Sequence, residues 1–276
     1  MFERRIPEWL RHAPVPGVRG FAILAGAEAA ARGLLISVLP IAMYRALGDT
    51  ETVSEIYFFI GIASLLTGLL VPMVVRIIPR RFVFSTGCSL VIVGPLLGAT
   101  GDPLLVPLGL ALITLAVVVM FVCFNAYVMD YIARTELGAC ETMRLYYSAA
   151  SWAIGPFLGI WLMDQWYPLP FLLSALAGTV LMGIFWFLRL GDGKQISAAL
   201  QHAPNPIAYL PRFIVQPRLV AGWIFAVLRS CGWWVYVVYL PIFAVENGYS
   251  DQLGGIMLSL TNSMLFIAPY MLRWMR

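Results

Sequence analysis

The sequence predicts an all-α polytopic membrane protein: a six-helix N-terminal bundle followed by the first two helices of a second bundle. Three observations predict it. Apolar residues make up 61% of the 276-residue chain and charged residues only 12%, with a mean hydropathy of +0.85. A soluble globule needs about twice that share of charge to wet its surface, so the composition places the chain in a bilayer. The apolar residues fall into eight segments long enough to span it, and the basic residues alternate with them in one sense.

A spanning helix needs about 20 mostly apolar residues, and its ends show as charged or Pro/Gly clusters. On those terms the spans run from Phe21 to Ala46, Val53 to Ile77, Phe82 to Thr100 and Leu104 to Tyr131. The second four run from Thr142 to Asp164, Pro168 to Leu190, Leu219 to Val245 and Gln252 to Met275. Short alternating segments of the kind that build membrane β-barrels are absent from the sequence. The first 20 residues are too polar for a signal-peptide core, so the first span reads as a retained anchor. Cys88, Cys123, Cys140 and Cys231 lie scattered in or beside apolar runs, without CxxC spacing, and read as small packing residues. No metal site or cofactor is expected.

Charge placement tests this segmentation independently. Fifteen of the eighteen basic residues fall on one side: Arg4, Arg5, Arg11, Arg19, Arg76, Arg80, Arg81, Arg134, Arg144, Arg189, Lys194, Arg212, Arg218, Arg273 and Arg276. The opposite loops carry Asp49, Glu51, Glu55, Asp102, Asp164, Glu246 and Asp251, with Arg45 alone among them. The positive-inside rule then puts the N-terminus in the cytoplasm, as expected of a multi-pass protein of the bacterial inner membrane. The net charge of +4 is a topology signal, and nucleic acid is not an expected partner.

The chain also repeats itself. Val38-Leu39-Pro40-Ile41 recurs as Tyr239-Leu240-Pro241-Ile242 at an offset of 201, and Pro72-x-x-x-Arg76 recurs as Pro269-x-x-x-Arg273 at an offset of 197. The two matches agree in order, depth and sidedness, so spans 7 and 8 read as a second copy of spans 1 and 2. Residues 1–190 form the first bundle, 191–217 a cytoplasmic connection and 218–276 the start of the second bundle. Within the connection, residues 207–215 (IAYLPRFIV) read either as a plain linker or as a short amphipathic surface piece. His12 and His202 have no ligand-spaced neighbours and receive no role.

Six spans, a long basic connection and a restarting copy resemble the major facilitator superfamily of secondary transporters. In that family two six-helix bundles meet about an axis along the membrane normal, with substrate at the interface. Two local motifs add to the likeness. The family's loop after the second helix reads Gly-x-x-x-Asp-Arg-x-Gly-Arg-Arg; here Pro72 to Arg81 keeps the closing Arg80-Arg81 but has prolines for the glycines and Arg76 at the acidic position. In span 5, Ser151-x-x-x-Gly155-Pro156-x-x-Gly159 is similar to the GPxxG signature of the family's exporters and proton antiporters, with Ile160 where a further glycine is customary. The resemblance implies helices beyond the eight, so a chain ending at Arg276 is expected to be a fragment or truncated reading frame of a transporter near 400 residues.

Gly155 and Gly159 have a direct physical reading as well. They let a neighbouring backbone approach closely, and Pro156 leaves the carbonyl one turn back without its helical donor. The run is read as a packing element that either seals or pivots a moving bundle, or simply packs.

Charges within spans cost about 2.5–3.5 kcal/mol each on insertion scales, so each needs a reason. Glu28 and Arg32 in span 1 are four residues apart and able to pair, and the repeat offset puts Arg229 of span 7 opposite Glu28. These three, with Asn125, Trp233 and Tyr236, are the candidate substrate and proton pathway. An unpaired Glu28 in apolar surroundings takes up a proton, and one beside an arginine releases it, which is a means of coupling. The alternative is a permanent salt bridge. A second set, Asp130, Arg134, Glu141 and Arg144 with Arg80 and Arg81, reads either as a cytoplasmic gate or as ordinary surface pairs; Asp130/Arg134 and Glu141/Arg144 have helical spacing.

No GxSxG, HExxH, intramembrane aspartate pair, spanning histidine or phosphate-binding loop is present, which excludes the common enzyme and ATPase chemistries. The expected function is secondary active transport of a small organic solute by alternating access, coupled to protons and directed to export. A solute-uptake symporter of the same fold and a non-transporting truncated membrane protein are the alternatives. The expected partners are the lipid bilayer, a small-molecule substrate and protons.

Overall fold

The computed structural model describes residues 17–188 and 211–267, together with Tyr270 and Trp274. The N-terminal arginines before Gly17, residues 189–210 of the basic connection, and Pro269 and Arg273 of the second repeat match lie outside the described residues. Among the described residues every regular element is a helix. These are α1 (Val18–Gly33), α2 (Val38–Leu47), α3 (Thr50–Ile77), α4 (Arg80–Gly98) and α5 (Leu105–Tyr131), followed by α6 (Leu137–Gln165), α7 (Leu169–Phe187), α8 (Pro217–Glu246) and α9 (Asp251–Ser263). A 3₁₀ turn, Met264–Ile267, extends α9.

Among the described residues six stretches are long and apolar enough to cross a membrane, with α1 and α2 together forming the first and α3, α4, α5, α7 and α8 the others. Helix α6 has the length, at 29 residues, but its middle is diluted by Tyr146, Tyr147, Ser148, Ser151, Trp152 and glycine. Many residues on α3 and α8 stay exposed, including Phe58, Leu65, Leu66, Trp223, Phe225 and Leu228. Water could not host such faces, and acyl chains can.

Two apolar cores stack along the membrane normal. The one nearer the basic loops joins Phe21 and Leu24 of α1, Phe84 and Val91 of α4, Met120, Phe124 and Tyr127 of α5, and Leu181 and Phe185 of α7. The one nearer the acidic loops joins Leu35, Val38 and Ile41 with Leu110, Ile160 and Phe171, and it also takes in Val238 and Ile242 of α8. Through α8 the second copy shares this core with the first, and α9 packs along α6 beside it.

The first span, a single helix by sequence, is broken at residues 34–37. Pro40 has no N–H, and its ring crowds the carbonyl of Ile36. Leu35 N–H turns back to Arg32 O, three residues away, at 3.0 Å, and helix resumes with Leu39 N–H on Leu35 O at 2.9 Å. Proline alone does not explain the break, since Pro72, Pro95, Pro156 and Pro241 all sit inside continuous helices. What differs at Pro40 is the neighbour: the Leu34 carbonyl turns into the space left by the missing side chain of Gly159, where a Cβ would collide with its oxygen.

Candidate substrate pathway

The candidate residues of span 1 lie at the crossing of α1 and α6, where backbone meets backbone. A Cβ on Gly33 would lie 2.6 Å from Ser151 O, one on Gly155 would lie 2.5 Å from Gly33 C, and one on Gly26 would lie 3.2 Å from Tyr147 O. Small residues allow this approach, and dispersion over the close contact holds it. The crossing fixes the rotation of α1 and hence the direction of its two charged side chains.

Arg32 Nη1 donates to Glu28 Oε1 at 2.7 Å, and both side chains are half-buried. The Arg32 guanidinium lies 5.3 Å from the centre of the Trp152 ring on α6, a cation–π contact that holds it against the crossing. One to two turns towards the basic loops, Arg144 of α6 lies 4.3 Å from the Phe124 ring centre and donates to Asn125 Oδ1 at 3.2 Å. Its other partner, Glu141 Oε1 at 2.5 Å, is mostly exposed, whereas Arg144 itself is only 14% exposed. Glu28 and Arg144 line one crevice with Leu24, Phe84, Met120, Phe121, Phe124 and Leu181. A carboxylate and a guanidinium thus share an otherwise apolar crevice inside one bundle.

The structure brings Glu28, Arg32, Asn125 and Arg144 into this neighbourhood and leaves Arg229 apart. Arg229 is exposed on α8; it reaches only Ser230 Oγ, at 3.5 Å, and has no carboxylate partner among the described residues. Tyr236 donates to Met257 O at 3.1 Å and shares a hydrogen bond with Thr261 Oγ1 at 2.8 Å, tying α8 to α9, with Trp233 stacked obliquely on it at 6.0 Å.

The basic-side charges pair within the first bundle. Asp130 pairs with Arg80 at 2.5 Å, and Arg80 also lies 5.0 Å from the Tyr127 ring centre. It does not pair with Arg134, because α5 ends at Tyr131 and Ile132 is extended, which removes the helical spacing. Arg81 lies 5.0 Å from the Phe82 ring centre. The Arg80–Asp130 and Glu141–Arg144 ion pairs both lie within the first bundle.

The span-5 run is packed on two sides. While Gly155 and Gly159 meet α1, Pro156 O would lie 2.9 Å from a Cβ on Gly255 of α9, and Phe157 N–H donates to Ser259 Oγ at 3.0 Å. Sequence reasoning missed Trp152, Phe124, Gly255 and Ser259, which carry no charge or motif. It also missed the links at the acidic end, where Arg45 pairs with Asp251, Thr50 Oγ1 bonds Glu246, Tyr239 donates to Ser54 Oγ at 2.7 Å and Gln252 to Asp164 at 3.2 Å. One signal was available: Arg45 is the lone basic residue among acidic loops.

No curated protein and no solved structure matches the chain. The family model described as Major Facilitator Superfamily matches residues 21–276. With its polytopic helical fold and a match across nearly the whole sequence, the chain belongs to the major facilitator superfamily and is a membrane transporter of that family.

Proposed function

We propose that the chain moves a small organic solute across the bacterial inner membrane by alternating access, coupled to protons and directed to export. The basic loops lie in the cytoplasm. The observation that carries this reading is the Glu28–Arg32 pair at 2.7 Å, deep in the first span and beside the crevice that Arg144 also lines. A pair kept only for stability gains little from being half-exposed and costs desolvation. A pair that opens in one conformation gives Glu28 a proton to bind and Arg32 a charge to offer the solute. Arg32, beside the crevice, and Arg144, in its lining, suit an anionic or zwitterionic group.

Coupling runs as follows. Arg32 holds the Glu28 carboxylate until the solute arrives, and a zwitterionic solute then takes Arg32 with its anionic group and Glu28 with its cationic one. The solute's cationic group and a proton then compete for the Glu28 carboxylate, which is the logic of exchange. The test is reconstitution in proteoliposomes with an internal pH dye and an imposed proton gradient, challenged with a panel of amphipathic anions and zwitterions. Solute-dependent collapse of the gradient is expected for the native chain and its loss for Glu28→Gln. Proton coupling that survives Glu28→Gln removes Glu28 from the coupling role.

A further inference from the structure

We propose that the solute is a compact zwitterion carrying a second anionic group, of the acidic amino acid class, and that Arg144 binds this second group. The proposal rests on the transport reading above and names the substrate class of the same site.

The state of Arg144 carries it. Arg144 is 14% exposed, whereas its counterion Glu141 is 55% exposed. The carboxylate thus sits largely in water, where it is screened, and the guanidinium is undercompensated on its crevice side. Both of its hydrogen bonds use one nitrogen: Nη1 donates to Asn125 Oδ1 at 3.2 Å and to Glu141 Oε1 at 2.5 Å. Nε and Nη2 donate to no described residue, and together they form an edge able to grip a carboxylate or phosphate through two parallel bonds. The buried Phe124 ring lies 4.3 Å from the guanidinium and fixes its plane. A donor held in place before the ligand arrives loses little freedom on binding it.

The neighbouring charges set what else the solute must carry. Glu28 lines the same crevice, yet no ion pair joins it to Arg144 among the described residues. Its Oε1 accepts from Arg32, and Oε2 accepts from no described residue. Arg32 rests on Trp152, eight residues along α6 from Arg144, a rise of about 12 Å. The charges therefore follow one another as Arg32, Glu28 and Arg144: positive, negative, positive. The complement is an ammonium group flanked by two oxyanions. A plain zwitterion leaves the Arg144 edge unused, and a plain dicarboxylate sets its own charge against Glu28. Size narrows the class further. Even counting its open side, the crevice holds about 260 Å³, below the ~300–1,000 Å³ of pockets for drug-sized ligands, which favours a compact solute over a bulky amphiphile.

Isothermal titration of four probes into the purified full chain tests this without a proton gradient. L-Glutamate carries all three groups, and O-phospho-L-serine replaces its second carboxylate by phosphate. L-Glutamine matches glutamate in shape without the second charge, and glutarate keeps both carboxylates without the ammonium. The native chain is expected to bind glutamate or phosphoserine at least about tenfold more tightly than glutamine or glutarate, and the tighter of the two assigns the oxyanion. Arg144→Gln should bring that probe down to the level of glutamine. Arg144→Lys, which keeps the charge without the fork, should retain part of the preference and decides the matter if Arg144→Gln does not melt cooperatively. Arg76→Gln, an equal loss of charge at an exposed site on α3, should leave the preference unchanged.

Equal affinity for glutamate, phosphoserine and glutamine, or a preference that survives undiminished in both Arg144 variants, overturns the second anionic group and leaves the transport reading standing. Glutarate binding as tightly as glutamate overturns the ammonium requirement, and binding of none of the four overturns the substrate class. Proton coupling is not part of this readout, so a chain that binds as expected while its gradient stays intact defeats the functional proposal alone.

Discussion

Replacing Gly155 with alanine adds one methyl group where there is no room for one. Its Cβ would stand 2.5 Å from Gly33 C, 2.7 Å from Gly33 O and 3.0 Å from Gly33 Cα. Carbon contacts settle at about 3.5–4.0 Å, so α1 and α6 must separate by about 1 Å. Backbone atoms have no rotamer to turn into, and the shift spreads to the neighbouring contacts of Gly26 with Tyr147 O and Gly33 with Ser151 O. Overpacking a core costs about 1–3 kcal/mol, and two unyielding backbones put this case at about 3. At about 2–4 °C per kcal/mol for chains of this size class, the thermal midpoint in detergent should fall by about 6–12 °C. Gly183→Ala in α7 is the matched control, because nothing lies within 4 Å of its Cβ position. That change should stabilise by about 0.5–1 kcal/mol through helix propensity alone. If Gly155→Ala melts no lower than Gly183→Ala, the close crossing, and with it the placement of Glu28 and Arg32, is wrong.

Two further outcomes follow from named contacts. Ser259→Ala removes the acceptor of Phe157 N–H and should cost about 1 kcal/mol in thermal unfolding, whereas Ser259→Thr keeps the hydroxyl and should cost less; equal losses would exclude the hydrogen bond as the cause. A double-mutant cycle between Arg80 and Asp130 should give a coupling of about 0.5–1 kcal/mol, and one between Arg134 and Asp130 a coupling near zero. The reverse order would mean that α5 continues past Tyr131.

What was legible in the sequence was whatever composition and period encode. Most span positions and the Glu28–Arg32 pair follow from apolar length and a four-residue spacing. The Gly155 and Gly159 contacts were legible too, since small residues beside a proline have few other uses. Of the partners of Arg144, Glu141 was legible from its spacing, and Phe124 and Asn125 were not. Its position near a span end suggested a surface gate, yet α6 starts at Leu137, which carries Arg144 two turns into the bundle, over Phe124 and beside Asn125. Arg229 shows the opposite limit: the repeat offset fixed its depth, but depth in one helix says nothing about the gap across to another. The break in span 1 depends jointly on Pro40 and Gly159, which are 119 residues apart, and no local pattern reports that.

The repeat itself gains a physical meaning from where its two copies meet. Val38, Leu39 and Ile41 of the first tetrapeptide and Ile242 of the second lie in one core at the acidic end, directly beneath the Arg45–Asp251 link. Two copies related by an axis along the membrane normal bring equivalent residues together only near that axis, so a motif shared by both copies is expected where they touch. The equivalence is broken by a single neighbour. Pro40 meets Gly159 and the helix opens, while Pro241 packs against Gly254, where a Cβ would lie 2.8 Å from Pro241 Cα, and α8 runs on unbroken. One copy therefore breaks just past the Glu28–Arg32 pair and the other runs on as a single helix. The unbroken α8 is one rod from Pro217 to Glu246, whereas α1 and α2 are two rods joined at residues 34–37, just past Arg32.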